Sequence, residues 1–238
     1  MSLTTTPCSN SADSYPSLTY ADAYFAKRYP SSAWDAKTDE QKELILRNAT
    51  IDIDRYFRSC GCNPLLERET RQALIWPWQG CGYEFYLSVD EGSATTATFD
   101  WLEDGYFASS YFIGGSLLVF DADDEAPEFE LTDISAFDRS TGQITFTALT
   151  AALGSSDSVY VMVPVPEWLK QATCEQAYFS IEDKHTDAGN DFQSGVKSKG
   201  YKDSRKEYRN SVDGEWLSRA TYKLIRPYIP KECGLERG

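Results

Sequence analysis

The stretch that decides the fold is SLLVFDADDEAPEFELTDISAFDRSTGQITFTAL, residues 116–149. Its runs SLLVFD, EFELTDI and GQITFTAL are strand-like, and Asp-Glu-Ala-Pro and Ser-Thr-Gly separate them. Apolar and polar residues alternate in Gln143-Ile144-Thr145-Phe146-Thr147, which turns one face inward and the other to water. Working outward, the same rhythm holds in EFYLSV, ATTATFDWL, YFASSYF and SVYVMV, with Gly- and Asp-containing turns between them. Short strands at this spacing predict a small antiparallel sandwich or barrel over 82–164. That segment carries fifteen Asp and Glu and one base, Arg139, so its net charge of −14 equals that of the whole chain. Its acids fall in turns and on outward positions. They make a solubilising surface, or one that repels nucleic acid or meets a basic partner.

The flanks are neutral and helical in rhythm. Thr19, with Asp22 three residues on, predicts the start of a first helix that stops at Pro30. Thr38-Asp39-Glu40-Gln41 is a capping box and opens a long helix to about Phe57, with a stripe from Leu44 and Ile45 through Ala49 and Ile53 to Tyr56 and Phe57. Asn63-Pro64 predicts a short helix to about Leu74. After Pro164-Val165-Pro166 comes a long helix, PEWLKQATCEQAYFSIEDKH, then a loop over 187–190. Asp213 is expected to cap a last helix that ends at Pro227. The expected organisation is a flexible N-terminal arm (1–14), a discontinuous helical domain (15–81 plus 165–226), the inserted β domain (82–164) and an extended tail (227–238). The fold class is α+β.

Composition narrows the chemistry. With 41% hydrophobic and 14% aromatic residues, the chain can bury a core. No apolar run approaches the length of a transmembrane helix, and the N-terminus lacks the pattern of a secretory signal. A cytosolic product, or one assembled there, is expected. His185 is the only histidine and sits near a predicted helix C-terminus, where it suits capping better than catalysis. Cys60, Cys62 and Cys81 form the one cysteine cluster, a weak metal pattern without an evident fourth ligand. Asp121, Asp123, Asp124 and Glu125 lack the Gly and distal Glu of a calcium loop. No phosphate loop, His-Glu-x-x-His or Gly-x-Ser-x-Gly occurs. No enzyme, cofactor or metal is therefore expected. Residues 195–209 hold six bases and two acids with Tyr201 and Tyr208 interleaved. Such a run can track a phosphate backbone and stack bases. It also reads as a solvated hairpin or partner-docking loop, and the charge of the whole molecule favours the latter.

Several segments together resemble the head–tail connector (adaptor, head-completion) proteins of tailed bacteriophages. Tyr15-Pro16-Ser17-Leu18 with Ala21-Asp22-Ala23-Tyr24-Phe25 is similar to their opening. Trp34, the box at Thr38 and Ala49-Thr50-Ile51-Asp52-Ile53-Asp54 resemble their second helix. Ala73-Leu74-Ile75-Trp76-Pro77-Trp78 resembles a turn in which the family carries a base where Trp78 stands. Val165 to Ala172, Gly195-Val196-Lys197-Ser198 through Tyr208, and Trp216-Leu217 to Pro227-Tyr228 resemble later elements. The acidic insert departs from the minimal family. The resemblance implies a non-enzymatic virion protein of the neck, assembled in the host cytoplasm. It would form a ring of about twelve copies beneath the portal protein, pass double-stranded DNA without binding it, and receive a tail, tail-terminator or nozzle protein. The resemblance implies no membrane partner. It further implies that Pro227, Tyr228, Ile229, Pro230 and Lys231 reach the portal. Val196, Lys197, Lys199, Tyr201, Lys202, Arg205 and Tyr208 would form a hairpin contacting the ring or the portal. Some members of this family are labelled single-stranded-DNA-binding proteins of the primosomal DnaT type, which is the alternative function.

Overall fold

The computed structural model describes residues 2–28, 30–66, 72–103, 106–122, 126–181, 198–201, 204–207 and 217–229, with 198–201 and 204–207 described by backbone alone. The chain is mixed α and β and divides into two compact units. One unit takes residues 1–3, 14–62 and 167–238; the other takes 4–13 and 63–166.

The second unit is built on a seven-stranded antiparallel sheet. Its strands are β1 (Glu84–Ser88), β2 (Glu91–Gly92), β3 (Thr96–Thr98), β4 (Ser116–Asp121), β5 (Leu131–Asp138), β6 (Gln143–Phe146) and β7 (Ser158–Met162), in the order β1-β7-β4-β5-β6-β3-β2. The sandwich or barrel expected from the strand count is thus one open sheet with β1 and β2 as its edges. β5 serves both halves: Leu131–Asp133 pair with β4, while Ile134–Asp138 pair with β6 across a bulge between Ile134 and Ala136.

The second layer of the core is not a second sheet, which is why the expectation fails. Residues 106–112, expected as a strand, form turns from which Phe107, Tyr111 and Phe112 pack on one face. Phe85 stands 5.3 Å from Phe107, 5.6 Å from Phe112 and 5.7 Å from Trp101, and Phe112 stands 5.0 Å from Phe137. Gly115 is obligatory behind them, since a Cβ there would lie 2.0 Å from the Met162 carbonyl oxygen. The opposite face carries Leu118 and Met162, packed against Cys8, Leu65 and Leu66. This brings 4–13 and 63–81 into the sheet unit, in place of the flexible arm and the continuation of the helical domain expected there. Ser116 Oγ donates to the Pro7 carbonyl (2.9 Å), and the Ala73 amide donates to the Ser9 carbonyl (3.1 Å). Gln72 is buried, and its amide nitrogen donates to the carbonyls of Leu74 and Pro77 (2.8 Å each) while its oxygen accepts from the Leu66 amide (3.1 Å). Of the helix expected over 63–74, the described residues 63–66 and 72–74 are not helical.

The first unit holds α1 (Leu18–Phe25), α2 (Ser32–Asp35), α3 (Asp39–Ser59), α4 (Glu167–Ile181), a hairpin of β8 (Ser198–Tyr201) and β9 (Ser204–Glu207), and α5 (Arg219–Ile225). The box at Thr38 and Gln41 closes in both directions, as the sequence predicts. The cap of α1 is Ser17 rather than Thr19; its hydroxyl accepts from the Tyr20 amide. Asp22 is thereby free for a tertiary role: one carboxylate oxygen accepts from Trp34 Nε1 (2.8 Å) and from Lys42 Nζ (2.9 Å). α5 is capped by Ser218, not Asp213, which lies outside the described residues. The core is Ala21, Phe25, Trp34, Leu46, Ala49, Cys174, Ala177 and Tyr178. Leu44, expected in the buried stripe of α3, is exposed, and the stripe begins at Leu46. The loop expected over 187–190 lies outside the described residues.

Candidate nucleic-acid and partner interfaces

Within the helical unit, α1 and α4 frame a cleft of about 560 Å3. On α1, Tyr20 and Tyr24 are four residues apart and share a face, and Lys27 and Arg28 extend it past the C-cap. On α4, Glu167, Gln171, Glu175 and Tyr178 recur at three- and four-residue spacing. Tyr20 Oη donates to Glu167 Oε1 (2.5 Å) and Tyr24 Oη to Glu175 Oε1 (2.6 Å). Arg28 Nη2 donates to Glu175 Oε2 (2.8 Å), and its guanidinium lies 3.9 Å over the Tyr178 ring. Lys170 Nζ sits 5.6 Å from the Tyr20 ring. Burial first, then the carboxylate each phenol donates to, pushes the ionisation of Tyr20 and Tyr24 well above the ordinary tyrosine range. Both phenols remain donors at neutral pH. The cleft therefore presents aromatic rings and the cation Lys27 beside committed carboxylates, an arrangement suited to holding a ligand.

The thiols of Cys8, Cys62, Cys81 and Cys174 are not poised for nucleophilic chemistry. Burial raises Cys8, Cys81 and Cys174 far above a free thiol, and pushes Cys62 up to about 12. Cys60 and Cys62 close α3, while Cys81 Sγ donates to Glu84 Oε2 (2.9 Å). Among the described residues no group of three or more His, Cys, Asp or Glu could hold a metal ion. No described helix is long and apolar enough to cross a membrane.

Of the hairpin residues singled out in the sequence, Lys199, Tyr201 and Arg205 are described, as backbone. Val196, Lys197, Lys202 and Tyr208 lie outside the described residues. The register pairs Lys199 with Lys206, Gly200 with Arg205 and Tyr201 with Ser204. At the C-terminus, Arg226–Tyr228 is a 3-10 turn continuing α5, not an extended tail, because Tyr228 stacks on Trp168 of α4 with ring centroids 4.2 Å apart and planes 6° off parallel. Pro227, Tyr228 and Ile229 are therefore held at their root, and Pro230 and Lys231 lie outside the described residues. The α1–α4 cleft escaped the sequence reading, although the Tyr20–Tyr24 spacing on a capped helix was a usable signal.

Residues 1–91 match the family model described as "Putative DnaT-like ssDNA binding protein". The match spans α1 to α3 of the helical unit and, in the sheet unit, residues 4–13 and 63–91, ending at the start of β2; it stops short of the hairpin and of α4. No curated protein matches the chain.

Proposed function

We propose that this chain is a non-enzymatic single-stranded-DNA-binding protein whose contacts are made by its helical unit. The observation that carries the reading is the match of residues 1–91 to a family so described. The partition of charge supports it. The sheet unit holds 18 acids and 3 bases; the helical unit holds 20 of the 23 bases against 19 acids. The screening length is about 8 Å at physiological salt, so a strand lying on the helical unit meets local charge rather than the net −14. Residues 195–209 would track the phosphates, and the ring faces of Tyr20 and Tyr24 would receive bases. Fluorescence anisotropy with a labelled 30-nucleotide dT strand tests it. Binding in the range of about 1–100 µM at 150 mM salt is expected, weakening as salt rises. Lys199→Glu with Arg205→Glu is expected to weaken it roughly tenfold, by removing and reversing two phosphate contacts. Absence of binding at 100 µM protein and 50 mM salt refutes the reading.

A second reading is the head–tail adaptor. It is favoured by residues 165–172 and 216–228, whose resemblance to connector proteins lies outside the matched segment, and by the acidity of the sheet unit. A wall past which DNA must slide is better negative than sticky. In this reading the chain sits in the neck of a virion, repeats as a ring and engages the portal through the segment from Pro227 onward. Electron microscopy of the purified protein mixed with portals distinguishes the two readings. Rings seated on portals with no oligonucleotide binding would replace the first reading by the second.

A further inference from the structure

The sheet unit carries an exposed aromatic surface that neither reading uses. Tyr86 on β1, Tyr160 on β7 and Phe120 at the end of β4 lie on neighbouring strands, and Phe129 joins them from the β4–β5 connection. Tyr86 and Tyr160 are direct register partners with rings 5.1 Å apart. Phe120 lies 5.4 Å from Tyr160, 5.9 Å from Tyr86 and 6.3 Å from Phe129. Tyr86 is 54% exposed, Phe129 41% and Phe120 38%. These three exposed rings, joined to one another and to the half-buried Tyr160, form a contiguous patch, unlike the scattered apolar residues of an ordinary surface. Phe129 is presented by backbone in the left-handed region, at φ 62°. Its amide donates to the Val119 carbonyl (2.8 Å), and the Val119 amide donates to the Glu130 carbonyl (2.9 Å), which clamps the connection to β4.

Charge selects the occupant. Between Phe120 and Leu131 the chain carries Asp121, Asp123, Asp124, Glu125, Glu128 and Glu130, with no base. Asp121 adjoins Phe120 in the chain and Glu128 and Glu130 flank Phe129, so the rings stand in a field that repels nucleic acid and anionic lipid. It also repels a second copy of the same face, since the unit holds 18 acids against 3 bases. A cation over the face of an aromatic ring is attracted by the ring quadrupole, and neighbouring carboxylates strengthen the attraction. Arginine fits better than lysine, because its planar and weakly hydrated guanidinium stacks on a ring while donating to carboxylates at its edge. We propose that Tyr86, Phe120, Phe129 and Tyr160 form a docking surface for an arginine-bearing peptide segment of a partner protein, with the carboxylates of Asp121 and Glu128 completing the contact.

The test uses the full chain and a fluorescein-labelled octapeptide of alternating Arg and Gly, read by anisotropy at 150 mM salt. Its counterpart with citrulline in place of Arg keeps the shape and removes the charge. The arginine peptide is expected to bind, and the citrulline peptide to bind at least tenfold more weakly. Tyr86→Leu and Phe120→Leu are each expected to weaken binding about two- to five-fold, and the double variant about tenfold. Tyr86→Phe, which keeps the ring, is expected to bind as the parent does. Melting curves followed by circular dichroism check that the leucine variants remain folded, and the citrulline comparison needs no variant. Three results overturn the proposal. Unchanged binding by the folded double variant would mean that charge alone attracts the peptide. Equal binding of the citrulline peptide would mean that the surface takes a neutral ligand. Self-association lost on Tyr86→Leu would give the surface to a second copy of the chain.

Discussion

The Arg28–Glu175–Tyr24 cluster is the test of how α1 is held on α4. Glu175 accepts from Arg28 at 2.8 Å and from Tyr24 at 2.6 Å, and the side chains of Glu175 and Arg28 are 11% and 27% exposed. Glu175→Leu keeps the helix and much of the side-chain volume. It strands a guanidinium against Tyr178 and leaves a phenol without its acceptor. Breaking one partner of a fully buried pair costs about 3–5 kcal/mol. A quarter of the arginine side chain is in water, so the expected loss here is smaller, about 2 kcal/mol. Arg28→Met in the same background removes the stranded charge and leaves an apolar stem on the Tyr178 ring. The double variant should therefore recover about 1 kcal/mol of the loss, a coupling that additive single effects do not produce. Urea unfolding followed at the helical band reports on this unit, because its helices supply nearly all the signal. With a slope of about 2 kcal/mol per molar urea, Glu175→Leu should move the midpoint down by roughly 1 M. A shift below about 0.2 M, or strictly additive effects in the double variant, would show that the apolar core alone holds α1 and that the charged cluster is incidental.

Tyr20 and Tyr24 ionise higher in the folded chain than their ordinary value of 10.0, so the stability they add is fully present below that pH and is lost as pH rises through their folded values. Urea midpoints should accordingly fall between pH 10 and 12, and Tyr24→Phe should flatten the fall. Trp168→Ala should lower stability by about 1 kcal/mol in excess of its buried area through loss of the Tyr228 stack, and truncation after Ile229 should not, as two melting curves will show. Excising 4–13 and 63–166, with a Gly/Ser linker from Cys62 to Glu167, should leave a soluble protein with cooperative helical melting. Excising only 83–163 should leave residues 63–82 without the strands they pack on, and the product should aggregate in gel filtration.

The sheet unit was legible where the signal is local. Alternation in Gln143–Thr147 and the turn residues around it gave strands close to their observed places, and the charge boundary marked a change of architecture. The closure of the sheet was not legible, because it depends on what supplies the second layer. Residues 106–112 have the composition of a strand, yet their rings serve the core better as packing on Phe85 than as one more rung of the ladder. The arm misled for a related reason. Polar composition around Cys8 predicts an exposed segment, and nothing nearby in the chain reveals that its thiol lies within hydrogen-bonding distance of Met162, 154 residues away.

Sites separate along the same line. The basic run of 195–209 is visible because its charges are consecutive, and the capping box at Thr38 because its partners are three residues apart. The α1–α4 cleft joins residues 147 to 151 positions apart, so the sequence presents Tyr24 and Arg28 as an ordinary helix face and hides the carboxylates that engage them. The aromatic patch is hidden more deeply, since it depends on register. Tyr86 pairs with Tyr160 and Leu118 pairs with Tyr160 in one cross-strand row; the bulge between Val119 and Asp121 then brings Phe120 within 5.4 Å of the Tyr160 ring. A slip of one residue in β1 would carry Tyr86 to the other face and Phe85 away from Phe107 and Phe112. The ring cluster that Phe85 makes with Phe107 and the buried Phe112 thus fixes the register that exposes Tyr86. The residues that stabilise the sheet are in this sense the ones that create its docking surface.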